Sequence, residues 1–181
     1  MLASRSPRRK ELLSRIADKF DIQAPEADED VVCDTPEQTV LAVAERKLAA
    51  VVNPQQYDAI IACDTLVYLD GVYYGKPANE QEAKMMLRAL SGKTHKVISG
   101  FIVRGKTREI KEAVTSHVTF RVLNDKDIEN YVSTEQPFDK AGSYAVQDGR
   151  LVASYQGDYT NIMGMPLESV KKALQELKVL Q

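Results

Sequence analysis

One segment constrains this chain more than any other: the apolar run from Ala59 to Leu69, broken by Asp64. It holds Ile60, Ile61, Ala62 and Cys63 before Asp64, and Leu66, Val67 and Leu69 after it. Such a run, closed by the hairpin signal Asp70-Gly71, reads as a buried strand. A carboxylate in a buried strand is costly unless it is paired, metal-bound or neutral. Asp64 is therefore a candidate general base or metal ligand, against the plainer alternative of a strand-end Asp that caps a loop or pairs with a structural Arg.

Helical and strand patterns alternate around that segment. Residues 7–17 read as a helix with Ser6 as N-cap, Pro7 in the first position and Leu12, Leu13 and Ile16 as the apolar face. Thr35 and Gln38 are spaced as a capping box for a second helix, through about Val52. Asn79 and Glu82 start a third, which ends near Gly92. Val97–Arg104 and Ala113–Val122 read as strands around a polar turn, and Asn124–Val132 as a short helix. Strands follow near Ser143–Val146 and Leu151–Tyr155, then a turn-like stretch at Gly157–Asn161, and a last helix from Pro166 to about Leu177. Helices mixed with hairpins imply an α/β fold with a mixed sheet, as one domain over residues 1–181.

Composition narrows the function classes. Apolar residues make up 44% and charged residues 28% of 181, which is globular and neither disordered nor collagen-like. Apolar runs such as Ala59–Cys63 fall far short of the roughly 20 residues of a membrane helix, and Met1-Leu2-Ala3 leads directly into Ser and Arg rather than into a signal-peptide core. The net charge of −2 argues against a nucleic-acid-binding domain, so any anion site is a local concentration of base. Cys33 and Cys63 form no CxxC pair, which suits a reducing cytoplasm.

Two further segments break their own pattern. Ser4-Arg5-Ser6-Pro7-Arg8-Arg9-Lys10 places four cations around a helix start, where the dipole already favours anions. The segment is either a phosphate cradle or a solvated basic terminus with a Ser cap. Lys47 lies on the stripe of Val40, Val43, Ala44, Leu48 and Val51. It either snorkels at the stripe's edge or reaches into a phosphate cavity. The acidic run Glu26-Ala27-Asp28-Glu29-Asp30 lacks the EF-hand offsets, yet one of its carboxylates could join Asp64 around a divalent ion. Gly92-Lys93-Thr94 is not a P-loop, because Leu87 stands where the first Gly belongs. No GxSxG elbow occurs, and His95 and His117 are too few and too separated for a histidine-rich zinc site.

These features occur together in one family. The chain resembles the Maf proteins, nucleoside triphosphate pyrophosphatases, through Leu2-Ala3-Ser4-Arg5-Ser6-Pro7-Arg8-Arg9, Ala62-Cys63-Asp64-Thr65-Leu66-Val67 and Gly75-Lys76-Pro77. Leu90–His95, Asp139–Gln147 and Gly164-Met165-Pro166-Leu167 extend the likeness over nearly the whole chain. The resemblance implies an inosine triphosphatase-like fold: an elongated, two-lobed α/β body with a mixed, twisted sheet, flanking helices and a central cleft. Only Met1 precedes Leu2-Ala3, where family members carry more apolar residues, so the first strand is very short or begins upstream.

The resemblance also assigns roles. Asp64 is the proton acceptor, and Glu29, or Asp28 beside it, the second carboxylate for chemistry or metal. Arg9, Lys47 and Lys76 hold the phosphates with Ser4 and Ser6, and Arg8, Thr65 and Gln147 read the base. These last three match the branch acting on dTTP and UTP, and the Gln147 amide can complement the O4/N3–H edge of a pyrimidine. A Mg²⁺ or Mn²⁺ cofactor on Asp64 and Glu29, a cytoplasmic location, a possible homodimer, and no nucleic-acid or membrane partner complete the expectation. The alternative function is a nucleotide-binding regulator of septum formation with little hydrolysis.

Overall fold

The computed structural model describes residues 1–180; Gln181, the last residue of the expected single domain, lies outside the described residues. Among the described residues the sheet has seven strands in the order β2-β1-β3-β5-β6-β7, with β4 as a hairpin on β3. Its members are β1 (Leu2–Ala3), β2 (Ile22–Gln23), β3 (Ala59–Leu69), β4 (Val72–Tyr74), β5 (Thr94–Gly105), β6 (Glu109–Phe120) and β7 (Val152–Gln156). β1 pairs in parallel with β2 and β3, and every other pairing is antiparallel. The sheet is mixed, as expected. Helices α1 (Pro7–Ser14), α2 (Pro36–Ala49), α3 (Glu80–Leu90), α4 (Asp125–Glu135), α5 (Tyr159–Met163) and α6 (Leu167–Glu176) flank it.

β3 is covered on both faces, and its alternation sorts the core. Ile61, Cys63, Val67 and Leu69 join the large cluster with residues of α1, α3, α4 and α6. Ile60 and Ala62 pack with Ala44 and Leu48 of α2, and Leu66 packs with Val40. Asp64 shares that second face, which turns it toward α2. Thr65 shares the first face.

Register leaves a gap along β3. β1 ends with Ala3 opposite Ala62, and β4 begins its pairing at Val67. Cys63 to Leu66 therefore have no strand neighbour on this edge, and side chains from both faces reach round it into one cleft. The very short β1 is what makes the opening.

Several boundaries differ from expectation. The strand expected near Ser143–Val146 is two 3-10 turns, Ala141–Ser143 and Val146–Asp148, because Gly142 and Ser143 take φ of 68° and 64° and cannot extend. The turn-like stretch at Gly157–Asn161 runs into α5, capped by Asp158. α1 ends at Ser14 and α2 at Ala49, earlier than the apolar pattern implies, while α4 runs on to Glu135 and stops at left-handed Gln136. Thr35 accepts from the Gln38 amide, but only Asn124 with Asp127 forms a complete capping box among the described residues.

Candidate active site

The cleft beside the open edge of β3 has a volume of about 530 Å³. Its walls come from the β1–α1 junction, the loop at 25–29, α2, β3, the segment after β4, the 139–147 segment, and the end of α5. Ser4, Ser6, Arg8, Arg9, Glu29, Lys47, Asp64, Thr65, Lys76 and Gln147 all line it. Asp28 does not: its carboxylate faces Arg46 at 2.7 Å. Six cationic side chains and four carboxylates line the cleft, an excess of base that opposes the whole-chain charge of −2.

Lys47 is 7% exposed. Its ammonium donates to Asp64 Oδ1 at 2.7 Å and lies 3.2 Å from Glu29 Oε2. Burial of an ammonium requires this pairing. The cation thus joins two carboxylates that stand thirty-five positions apart in the chain, and Asp64 Oδ2 has no protein partner among the described residues. Of the two alternatives left by the sequence, Lys47 takes the inward one.

Arg9 is held on three sides. Its Nε donates to the Gly164 carbonyl at 2.8 Å, Nη2 to Thr65 Oγ1 at 3.1 Å, and Nη1 to Ser4 Oγ at 3.4 Å. Ser6 caps α1 by accepting from the Arg9 amide at 3.4 Å. Arg8 bridges to the far wall, donating to the Asp139 carboxylate at 2.9 Å and the Asp139 carbonyl at 3.3 Å. Burial pushes the Asp139 carboxyl up, but Lys140 and Arg8 outweigh it and hold it below the usual carboxylate range. Lys76 and Gln147 are exposed and have no side-chain partner among the described residues.

Asp139 and Lys140 belong to the cleft wall, and sequence reasoning on charge alone missed them. The only signal was their place at the head of the Asp139–Gln147 motif. Behind the wall, His95 is buried with Nε2 2.8 Å from the Tyr144 hydroxyl. Burial lowers its pKa to about 4, so the ring is neutral and serves as packing rather than as a ligand.

Among the described residues no group of three His, Cys, Asp or Glu side chains could hold a metal. Asp64 and Glu29 nevertheless hold a cation between them, the Lys47 ammonium. Two carboxylates completed by substrate phosphate oxygens are a donor set that suits Mg²⁺.

A basic cleft over a carboxylate pair, at the unpaired edge of a mixed sheet, defines the class: an α/β protein built to hold a phosphorylated small molecule. The chain belongs to the Maf family, whose model, described as Maf-like protein, matches residues 1–177. It is 39% identical to a dTTP/UTP pyrophosphatase of Geotalea uraniireducens over 186 residues, covering 100% of this chain and 96% of the relative. A protein of the same name from Phocaeicola vulgatus is 41% identical, with 98% and 95% covered. One from Bacillus cereus (strain ATCC 14579) is 37% identical, with 99% and 95% covered. No helix among the described residues is long and apolar enough to cross a membrane.

Proposed function

We propose that this chain hydrolyses dTTP and UTP to the monophosphate and pyrophosphate. The observation that carries the reading is the convergence on one cleft of the ten side chains to which the family resemblance gives phosphate, base and proton roles, with Asp64 at its open strand edge. Full-length relatives named for that activity support the choice of substrate.

The residues divide the work. Arg9, Lys47 and Lys76, with the Ser4 and Ser6 segment, take the triphosphate, whose charge needs fixed cations in a partly dry cleft. Water attacks phosphorus at the α–β linkage, and the bond to the bridging oxygen breaks, so pyrophosphate leaves. Asp64 takes the proton from that water through Oδ2, the oxygen that Lys47 leaves free. Asp64 and Glu29 are the residues that would hold Mg²⁺ or Mn²⁺. When bound, such an ion offsets charge on the phosphate oxygens. Arg8, Thr65 and Gln147, which also line the cleft, read the base.

Pyrophosphate release from dTTP, UTP, CTP, GTP and 7-methyl-GTP, with Mg²⁺ or Mn²⁺, tests this. Release is expected to be fastest from dTTP and UTP. Asp64→Asn should lower turnover by about 10²–10⁴-fold while the chain still folds, with a lower Tm because the buried Lys47 ammonium loses one of its two charged partners. Near-normal turnover in that variant removes Asp64 as the base. Binding of every nucleotide with no release would make the protein a nucleotide sensor instead.

A further inference from the structure

Gln147 rides on a turn that one buried hydroxyl grips from both sides. The backbone amide of Ala145 donates to Tyr131 Oη at 3.1 Å, and Tyr131 Oη donates to Asp148 Oδ2 at 2.5 Å. Gln147 stands between those two anchors, in the 3-10 turn Val146–Asp148. It is exposed and lines the cleft. Tyr131 is 0% exposed, on the buried face of α4 with Ile128 and Val132.

The phenol's proton has one place to go. Oη accepts from the Ala145 amide, so its single proton is donated to the Asp148 carboxylate. Burial first, and the hydrogen bond to Asp148 next, raise the phenol's pKa, so the proton stays on the ring oxygen. Asp148 is oriented in turn, because its Oδ1 accepts from the Arg150 amide at 3.2 Å. Buried Val146 pins the same turn to the core. The chain on each side of Gln147 is thus fixed to α4, while the Gln147 side chain is left for a ligand.

We infer that Tyr131 is a positioning residue for Gln147: through Ala145 and Asp148 its hydroxyl holds the turn from which the Gln147 amide meets the base. This rests on the reading of Gln147 as a base-reading residue. Tyr131 is not among the cleft's lining residues, and its hydroxyl acts through the geometry of the turn. Its loss therefore weakens discrimination between bases more than it weakens binding of the phosphates that all the nucleotides share.

Tyr131→Phe keeps the ring in the core and removes the hydroxyl. Asp148→Ala removes the other end of the grip from a half-buried position. The readouts are kcat/KM for UTP and for GTP, and binding of inorganic tripolyphosphate, which has no base. Each variant is expected to lower the UTP/GTP ratio roughly fivefold, with tripolyphosphate binding within about twofold of the unsubstituted protein. In Gln147→Ala, whose ratio has already fallen, adding Tyr131→Phe should change the ratio no further.

An unchanged ratio in either variant overturns the inference while leaving Gln147 as a base reader. So does a further fall when Tyr131→Phe is added to Gln147→Ala, or a loss of tripolyphosphate binding as large as the loss in kcat/KM for UTP. If Tyr131→Phe does not fold, Asp148→Ala alone decides. An unchanged ratio in Gln147→Ala overturns the base reading and the inference with it.

Discussion

At the scale of single residues, charge in this cleft is arranged rather than merely concentrated. Arg8 is tied down by Asp139, Arg9 by Gly164 and Thr65, and Lys47 by Asp64, whereas Lys76 is unpaired among the described residues. Gln147 likewise has both amide groups open to a ligand. Gln147→Glu removes a donor and adds a negative charge, so kcat/KM for UTP is expected to fall roughly tenfold relative to GTP. Steady-state kinetics on both nucleotides check this, and an unchanged ratio excludes Gln147 from base selection. Most of these residues were legible because their types conflict with their surroundings: a carboxylate in a buried strand, a lysine on an apolar stripe, cations at a helix start. The hydrogen bonds that link Thr65, Ser99 and Asn161 were not, because hydroxyls and a backbone carbonyl carry no pattern until segments 34 and 62 positions apart are brought together.

At the scale of elements, α2 delivers Lys47 only because it lies close on the sheet. Gly100 of β5 makes that possible: a Cβ there would meet Val40 Cγ2 at 2.7 Å and the Leu41 amide nitrogen at 2.9 Å. Gly100→Ala must lift the helix backbone. A stability loss of about 1–3 kcal/mol is expected from overpacking. A fall in turnover should accompany it as Lys47 withdraws from Asp64. Thermal denaturation and kinetics of the one variant test both, and an unaltered Tm would mean that α2 yields freely. The long strands and capped helices were legible from apolar runs and caps. The Ser143–Val146 segment was not, since an alternating sequence reads as a strand until left-handed Ser143 breaks it. β1 and β2, two residues each, are too short to carry any periodicity.

At the scale of the whole molecule, acid sensitivity follows from His95. Its folded pKa of about 4 lies below the ordinary histidine value of 6.5, so the unfolded chain binds this proton more readily. Well above pH 6.5 neither state is charged and there is no loss. As pH falls from 6.5 toward 4 the unfolded state is favoured progressively, by about 2 kcal/mol between pH 7 and pH 5. Denaturant titrations at both pH values are expected to show that loss, and His95→Gln to reduce it. An equal loss in the variant would assign acid sensitivity to other groups. The mixed sheet was legible at this scale from hairpins mixed with helices, and the family likeness from the order of the motifs. The cleft's position was not, because it arises from the gap in strand pairing at Cys63–Leu66. Its walls also join distant parts of the chain, with Arg8 against Asp139 and Arg9 against Gly164. A polypeptide still being synthesised has made Arg9 and Asp64 long before Gly164 exists. The growing chain on the ribosome therefore lacks a finished cleft until synthesis has passed Gly164, the last residue of its lining.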